Sequence, residues 1–325
     1  MIILEERKCL NLKLRSSMKS TEYKLSGQRI AKRLAKDKFL YILLLPSVIL
    51  TLMFSYFPIG GVKMAFQDYN IYNPSMSQWI GLTNFKKILE TPGILTAIWN
   101  TLYISLLNLF ICFPITVIFA LLLNEVQCSW FKRFTQTVSY LPHFLSWISV
   151  IGIATAMYSK YGFINDLIVA ITGNPERTLF MAEQSFFVPN VILLNIWKGT
   201  GWGSIVFLAA ITGVDQSLYE AATVDGANRF KQIQHVTFPA ILPTIVIMVL
   251  WRVGSLLSDN FELIYGLQNT YVNFEVIQTT VYKEGIQAGN YSISTALGFG
   301  QGLINFIVLF IVNMFAKKTT GTGLF

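Results

Sequence analysis

Residues 98–123 read Ile98-Trp-Asn-Thr-Leu-Tyr-Ile-Ser-Leu-Leu-Asn-Leu-Phe-Ile-Cys-Phe-Pro-Ile-Thr-Val-Ile-Phe-Ala-Leu-Leu-Leu123, 26 consecutive positions without an Asp, Glu, Lys or Arg. A helix needs about 20 mostly apolar residues to cross the roughly 30 Å hydrocarbon layer of a bilayer. In lipid every backbone N–H and C=O must be paired within the protein, which leaves helices or closed barrels. Barrel strands alternate apolar and polar positions over about ten residues. This run is longer and uniformly apolar, so it reads as a transmembrane helix.

Five further stretches share its character: Phe39–Phe57, Val138–Tyr158, Phe186–Thr212, Ile241–Tyr265 and Ile293–Ala316. Composition agrees. Apolar residues make up 53% of the 325 and charged residues 13%, about half the charged share of a soluble domain, and the mean hydropathy is +0.52. The expected fold is an all-α integral membrane bundle of six spans over 39–316. A basic tail (1–38) precedes it and a short tail (317–325) follows. No short apolar core with a small-residue cleavage site occurs in 1–38, so the first span is expected to serve as an uncleaved insertion signal.

Orientation follows from Lys and Arg placement. A cytoplasmic N-terminus puts 17 of the 25 basic residues on the inner side and six on the outer, with Lys198 and Arg252 inside spans. Both termini are therefore expected in the cytoplasm. The net charge of +8 resides mainly in the tail and inner loops, where topology and anionic lipid account for it; no nucleic-acid partner is implied. Cys9, Cys112 and Cys128 have neither disulfide-framework nor zinc-like spacing.

Prolines interrupt several spans: Pro114, Pro142, Pro189, Pro239 and Pro243. Neighbouring helices and Ser or Thr side chains can re-satisfy the backbone groups they free. Gly199, Gly201 and Gly203 around Trp202 suit close helix approach.

The longest inner loop, 213–240, carries Ser217-Leu-Tyr-Glu-Ala-Ala-Thr-Val-Asp-Gly-Ala-Asn-Arg-Phe-Lys-Gln-Ile-Gln-His-Val-Thr-Phe-Pro239. It reads as helix, turn, helix. Ser217 with Glu220 fits a capping box, Ala221 and Ala222 are good helix formers, and Asp225-Gly226 supplies the turn. Phe230, Ile233 and Val236 then recur at helical spacing. An amphipathic surface helix either lies in the lipid interface or enters a partner's groove. The first half has no basic face, which favours a partner.

Glu220-Ala221-Ala222, followed by Asp225-Gly226-Ala227 and then Pro239 and Pro243, resembles the EAA loop of bacterial importer permeases of the ATP-binding-cassette type. Phe238 stands where that pattern usually has Leu. Tyr56–Asn70, Gly81–Phe85, Asn100–Leu102 and Tyr291–Ala296 resemble the subgroup for complex oligosaccharides, alginate among them. The resemblance implies the type I importer permease fold and an inner-membrane location. It also implies a coupling helix with Glu220, Ala221, Ala222, Asp225 and Gly226 at an ATPase. The implied partners are a second homologous permease, two ATPase subunits and an extracytoplasmic solute-binding protein. ATP and Mg would be bound by the ATPases, with no cofactor in this chain.

Ionisable groups at membrane depth usually face the bundle interior or a water-filled path. Arg252, Ser255, Asp259 and Glu262 recur at steps of three and four, which predicts one stripe of the fifth span. Lys198 with Trp197 and Trp202 forms a second cluster in the fourth. Hydrogen-bonding groups beside aromatic faces suit an oligosaccharide, and Arg252 and Lys198 suit an acidic one. Arg252 and Asp259 also have the spacing to pair with each other. An ion-coupled transporter would need deep carboxylates, and only Asp259 and Glu262 approach that. A membrane-embedded enzyme lacks a motif, since His143 and His235 have no evident catalytic partners. No G-x-x-x-x-G-K-[ST] loop occurs, so the chain is not expected to hydrolyse ATP alone.

Overall fold

The computed structural model describes residues 36–258, 260–321 and 323; the N-terminal tail expectation and Asp259 fall outside them. The chain divides into two compact units, Met1–Gly61 and Val62–Phe325.

The first unit carries α1 (Lys38–Thr51), whose Pro46 lies inside the helix, and a wide π-helical turn at Leu52–Tyr56. Its apolar sequence continues to Phe66, which makes Lys38–Phe66 long enough to cross a membrane.

The second unit opens with a two-stranded antiparallel ribbon, β1 (Gln67–Asp68) and β2 (Gln78–Trp79). The helices α2 (Thr83–Glu90), α3 (Pro92–Leu107) and α4 (Phe113–Glu125) follow. Then come α5 (Ser129–Tyr140), α6 (Trp147–Tyr158), α7 (Phe163–Thr172) and the 29-residue α8 (Gln184–Thr212). The cytoplasmic loop of the sequence reading forms α9 (Gln216–Val224) and the single turn α10 (Arg229–Gln232). Last are α11 (Phe238–Gly254), α12 (Phe261–Leu267), α13 (Ile277–Tyr282) and α14 (Tyr291–Thr320).

Five helical stretches are long and apolar enough to cross a membrane, and a sixth exists if the pair Ser129–Phe144 and Trp147–Thr172, bent by 106°, is one span. The expected runs at 39–57, 98–123, 186–212 and 293–316 lie inside four of these stretches.

Two spans differ from expectation. The run 138–158 is not one helix. A 3₁₀ turn at Leu141–Phe144 carries Pro142, the backbone is extended at Leu145 and Ser146, and Ser146 caps a new helix by accepting from Ser149 N–H at 3.2 Å. Proline lacks the donor that would continue the ladder, and an N-cap serine restarts it. The run 241–265 also breaks. The fifth span covers Arg229–Gly254, and α12 starts afresh at Phe261, capped by the Asn260 side chain at 3.2 Å. Arg252, Ser255 and Glu262 therefore do not share a helical stripe. Periodicity assumed one continuous helix where the chain restarts.

Other prolines are absorbed without a break. The π-helical turns at Leu52–Tyr56, Asn108–Cys112 and Ile233–Thr237 each end two residues before a proline, namely Pro58, Pro114 and Pro239. A wider turn relieves the clash between the proline ring and the carbonyl four residues back.

Two apolar clusters pack around α8 at different heights. Phe187, Val191 and Leu194 meet Ile104, Val150, Ala154 and Leu263. Farther along, Phe207 and Leu208 meet Phe113, Val117, Ala120 and Leu123 of α4. Small residues let membrane helices approach closely, and Gly201 does so against α5: a Cβ there would lie 2.0 Å from the Ser139 carbonyl oxygen.

Candidate functional site

Between those two clusters the same helices turn polar. Along α8, Leu194 ends one cluster and Phe207 begins the other, and Asn195, Lys198, Gly199 and Thr200 lie between. On the α3–α4 side, Ser105, Asn108 and Cys112 lie between Ile104 and Phe113. These residues line a cavity of about 380 Å³. Asn108 Oδ1 accepts from Asn195 Nδ2 at 3.2 Å and from Cys112 Sγ at 3.2 Å, so the wall is cross-linked by its own polar groups.

The remaining wall comes from the two span breaks. His143 and Trp147 flank the first, while Arg252, Ser255, Ser258 and Asn260 come from the second. Non-helical backbone at membrane depth is tolerated where it lines a cavity or is buried in protein. Here each break is satisfied by side chains from a neighbouring span. Lys198 Nζ donates to the His143 and Leu145 carbonyls at 2.8 and 2.7 Å. From α14, Gln301 Nε2 donates to the Leu257 carbonyl at 2.7 Å, and Asn305 Oδ1 accepts from Leu257 N–H at 3.0 Å.

The expected pathway residues separate. Arg252 and Lys198 both line the cavity. The Arg252 guanidinium also covers the Phe113 ring at 5.4 Å, and the Lys198 ammonium lies 5.1 Å from the Trp147 ring centre. Trp197 and Trp202 lie outside the cavity lining and are nearly half exposed. Trp202 stacks flat on His143, with ring centres 4.5 Å apart and planes within 2°. The cavity's aromatic face is Trp147, which sequence reasoning passed over. Its signal was Leu-Pro-His-Phe-Leu-Ser-Trp, a proline followed by a capping serine. Glu262 is exposed and outside the lining, and no carboxylate lines the cavity among the described residues.

The second site is the loop between α8 and α11. Helix, turn and helix lie where the sequence placed them, and Gly226 has φ +74°. The cap differs from expectation. Asp215, not Ser217, is the N-cap, its carboxylate accepting from Ser217 N–H at 3.0 Å. That bond holds the Asp215 carboxyl below its usual pKa, because hydrogen bonding favours the charged form. Glu220, Ala221, Asp225 and Gly226 are exposed and Ala222 half-buried.

The loop is tied to two spans. Tyr219 Oη and Thr237 Oγ1 are 3.0 Å apart. Arg229 Nη1 donates to the Glu125 carbonyl at 3.2 Å and lies 3.9 Å from its carboxylate, at the end of α4. Tyr219, Glu220, Arg229 and Glu125 border a second, polar cavity of about 740 Å³ under the loop.

Known proteins resemble this chain in sequence and fold. The family model described as "Binding-protein-dependent transport system inner membrane component" matches residues 105–321. Protein LplB of Bacillus subtilis (strain 168) is 42% identical over 296 residues, covering 90% of this chain and 92% of that protein. The polygalacturonan/rhamnogalacturonan transport system permease protein YteP of the same organism is 39% identical over 302 residues, covering 92% of this chain and 94% of that protein. Among solved structures, a bacterial ABC transporter involved in the import of the acidic polysaccharide alginate contains a chain that superposes with a TM-score of 0.82 at 35% identity, over 90% of this chain and 99% of that one. A bacterial alginate ABC transporter in complex with an alginate pentasaccharide-bound periplasmic protein gives the same score and identity, over 91% and 100%.

Proposed function

Because this chain belongs to the family of binding-protein-dependent transport system inner membrane components, we propose that its cavity is half of a path for acidic oligosaccharides and that its exposed loop is the handle by which ATPases move it. The chain is a permease, the non-catalytic multi-pass membrane subunit of an ATP-binding-cassette importer for oligosaccharides.

Acidity of the substrate rests on one observation. The cavity wall carries the Arg252 guanidinium and, among the described residues, no carboxylate. A positive charge facing a cavity at membrane depth favours an anionic guest. Asn, Ser and Trp147 supply the hydrogen bonds and the ring face that a sugar needs. The relatives named for galacturonan and alginate import support the same sign. Arg252 is the residue we assign to the uronate carboxylates. Lys198 lines the path beside it, Asp259 belongs to the same segment, Trp202 stacks on His143 behind the break, and Trp197 lies outside the lining.

The assembly follows the same reasoning. An extracytoplasmic solute-binding protein delivers the sugar, a second homologous permease closes the path, and two ATPase subunits bind ATP and Mg. Glu220, Ala221, Ala222, Asp225 and Gly226 face those ATPases from the cytoplasm, and the Lys and Arg distribution supports both termini on that same side. Closure of the ATPases shifts α9, and the ties to Thr237 and Glu125 carry the shift into α11 and α4. The helices then rock around the cavity in alternating access.

The test is uptake by the complete transporter in proteoliposomes, using uronate and neutral oligosaccharides of equal length. Preference for the uronate that vanishes in Arg252→Gln supports the reading. A preference unchanged in that variant defeats it. Transport without any ATPase partner would defeat the coupling half.

A further inference from the structure

We propose that Lys198 is a positioning residue that props the broken span open beside the cavity, and that it contributes nothing to the preference for acidic sugars. This deepens the reading of the path above and rests on it.

The geometry assigns the role. Lys198 is 8% exposed, and its ammonium donates to two carbonyls, His143 and Leu145, on either side of the residue where the helix stops. Both carbonyls belong to a stretch that has left the helical ladder: Pro142 precedes it and Leu145 is extended. A carbonyl that leaves the helical ladder at membrane depth needs another donor, so the ammonium reaching across from α8 holds the break in place.

Around this anchor the same two spans meet twice more, through the His143–Trp202 stack and the close approach of Gly201 to Ser139. Trp147 begins the helix after the break, and its ring sits 5.1 Å from the same ammonium. Lys198 therefore fixes where Trp147 faces the cavity. Two carbonyl dipoles and a π face also disperse its positive charge. Arg252 has a different setting. Its guanidinium rests on the Phe113 ring at the cavity wall, and its planar fork suits a carboxylate.

Three variants of the complete transporter, Lys198→Met, Lys198→Gln and Arg252→Gln, separate these roles in proteoliposome uptake of uronate and neutral oligosaccharides. Misplacing a positioned group can cost up to about a hundredfold in rate. Lys198→Met is expected to lower the maximal rate about tenfold or more for both sugars, with the uronate-to-neutral ratio of kcat/KM unchanged. Lys198→Gln, whose amide keeps N–H donors for the carbonyls, is expected to recover part of that rate. A ratio that falls in either Lys198 variant overturns the proposal.

Arg252→Gln keeps Lys198 and tests the proposal even if neither Lys198 variant assembles. A ratio reduced to about one supports it, because no preference is then left for Lys198 to supply. A ratio only partly reduced overturns it if Lys198→Gln added to Arg252→Gln removes the remainder, and supports it if the remainder persists. A ratio unchanged in Arg252→Gln defeats the acid-reading role of Arg252. In that case a collapse of the ratio in Lys198→Met overturns the positioning role as well, and an unchanged ratio there leaves it standing.

As a readout independent of transport, Cys112 lines the same cavity. In a background lacking the other two cysteines, its labelling by a neutral thiol reagent is expected to change in Lys198→Met without substrate, while uronate still protects it. Loss of uronate protection with unchanged basal labelling would assign Lys198 to the substrate.

Discussion

The Tyr219 hydroxyl lies 3.0 Å from the Thr237 hydroxyl, so the exposed helix α9 is bonded to a residue only 1% exposed in the turn that leads into α11. A single hydrogen bond of this kind contributes about 0.5–1.5 kcal/mol. Tyr219→Phe keeps the ring and removes the bond. The expected outcome is an assembled transporter that hydrolyses ATP normally and moves roughly two- to tenfold less sugar per ATP. Phosphate release and sugar uptake measured on the same proteoliposomes give that ratio, and an unchanged ratio would rule out this tie as a coupling element.

Gly226 holds φ +74° in the turn of the same loop, a conformation that costs residues with a Cβ about 1–2 kcal/mol. Nothing lies within 4 Å of a Cβ built there, so the cost is backbone strain and not a clash. Gly226→Ala should therefore weaken coupling more than Gly226→Asn, because Asn tolerates the left-handed region better. Equal loss in the two variants would point to contact with a partner instead of backbone geometry.

Asp215 gives the loop a pH dependence of definite sign. Its carboxyl is held below the usual carboxylate pKa by the Ser217 N–H. The stability it adds to α9 is thus fully present above the unfolded pKa of about 3.9 and is lost as pH falls through the lower folded value. Asp215→Asn retains a capping oxygen without the charge, so the difference between wild type and variant should shrink as pH falls through the lower folded value. Hydrogen exchange of the loop amides across that range measures it.

The helix–turn–helix of the loop was legible because each signal is local: Asp225-Gly226, two alanines, and apolar residues at helical spacing. The six apolar runs were legible for the same reason. The two breaks were not. Leu141–Trp147 and Ser255–Tyr265 stay apolar enough that an averaged window runs through them, and their stabilising groups sit far away in sequence. Lys198 lies 55 residues from His143, and Gln301 lies 44 from Leu257. The stripe through Arg252, Ser255 and Glu262 failed on that account, whereas Arg252 and Lys198, picked out for charge at membrane depth, do meet at one cavity. Trp147 was missed because its importance depends on the break that turns it inward.

The second break should be the weaker point of the bundle. Asn305 Oδ1 accepts from the buried Leu257 N–H at 3.0 Å, and Asn305→Leu leaves that donor unpaired at a cost of about 1–3 kcal/mol. The variant should unfold several degrees below wild type in detergent and lose uptake of acidic and neutral sugars alike, since Ser258 and Asn260 would shift with the break. A thermal midpoint equal to wild type would mean that Leu257 N–H finds another acceptor.

Gly201 and Gly199, two residues apart in α8 and so on opposite faces of the helix, contrast sharply. A Cβ on Gly201 would lie 2.0 Å from the Ser139 carbonyl oxygen and 2.4 Å from its carbon, and both belong to backbone that has no rotamer to change. Gly201→Ala must push α5 away from α8, and overpacking of this kind costs about 1–3 kcal/mol or more. It also strains the neighbouring His143–Trp202 stack and the Lys198 anchor, so transport should fall with stability. Gly199 has nothing within 4 Å of its Cβ position and lines the cavity. Gly199→Ala should leave the thermal midpoint unchanged or raise it slightly, since alanine is the better helix former by about 1 kcal/mol. Its effect belongs to the substrate, because a methyl group added to a polar wall of about 380 Å³ takes space from the sugar. Concentration series of uptake for the two variants should therefore show lower maximal rate for Gly201→Ala and higher KM for Gly199→Ala; the reverse pattern would mean that α8 turns its other face to the path.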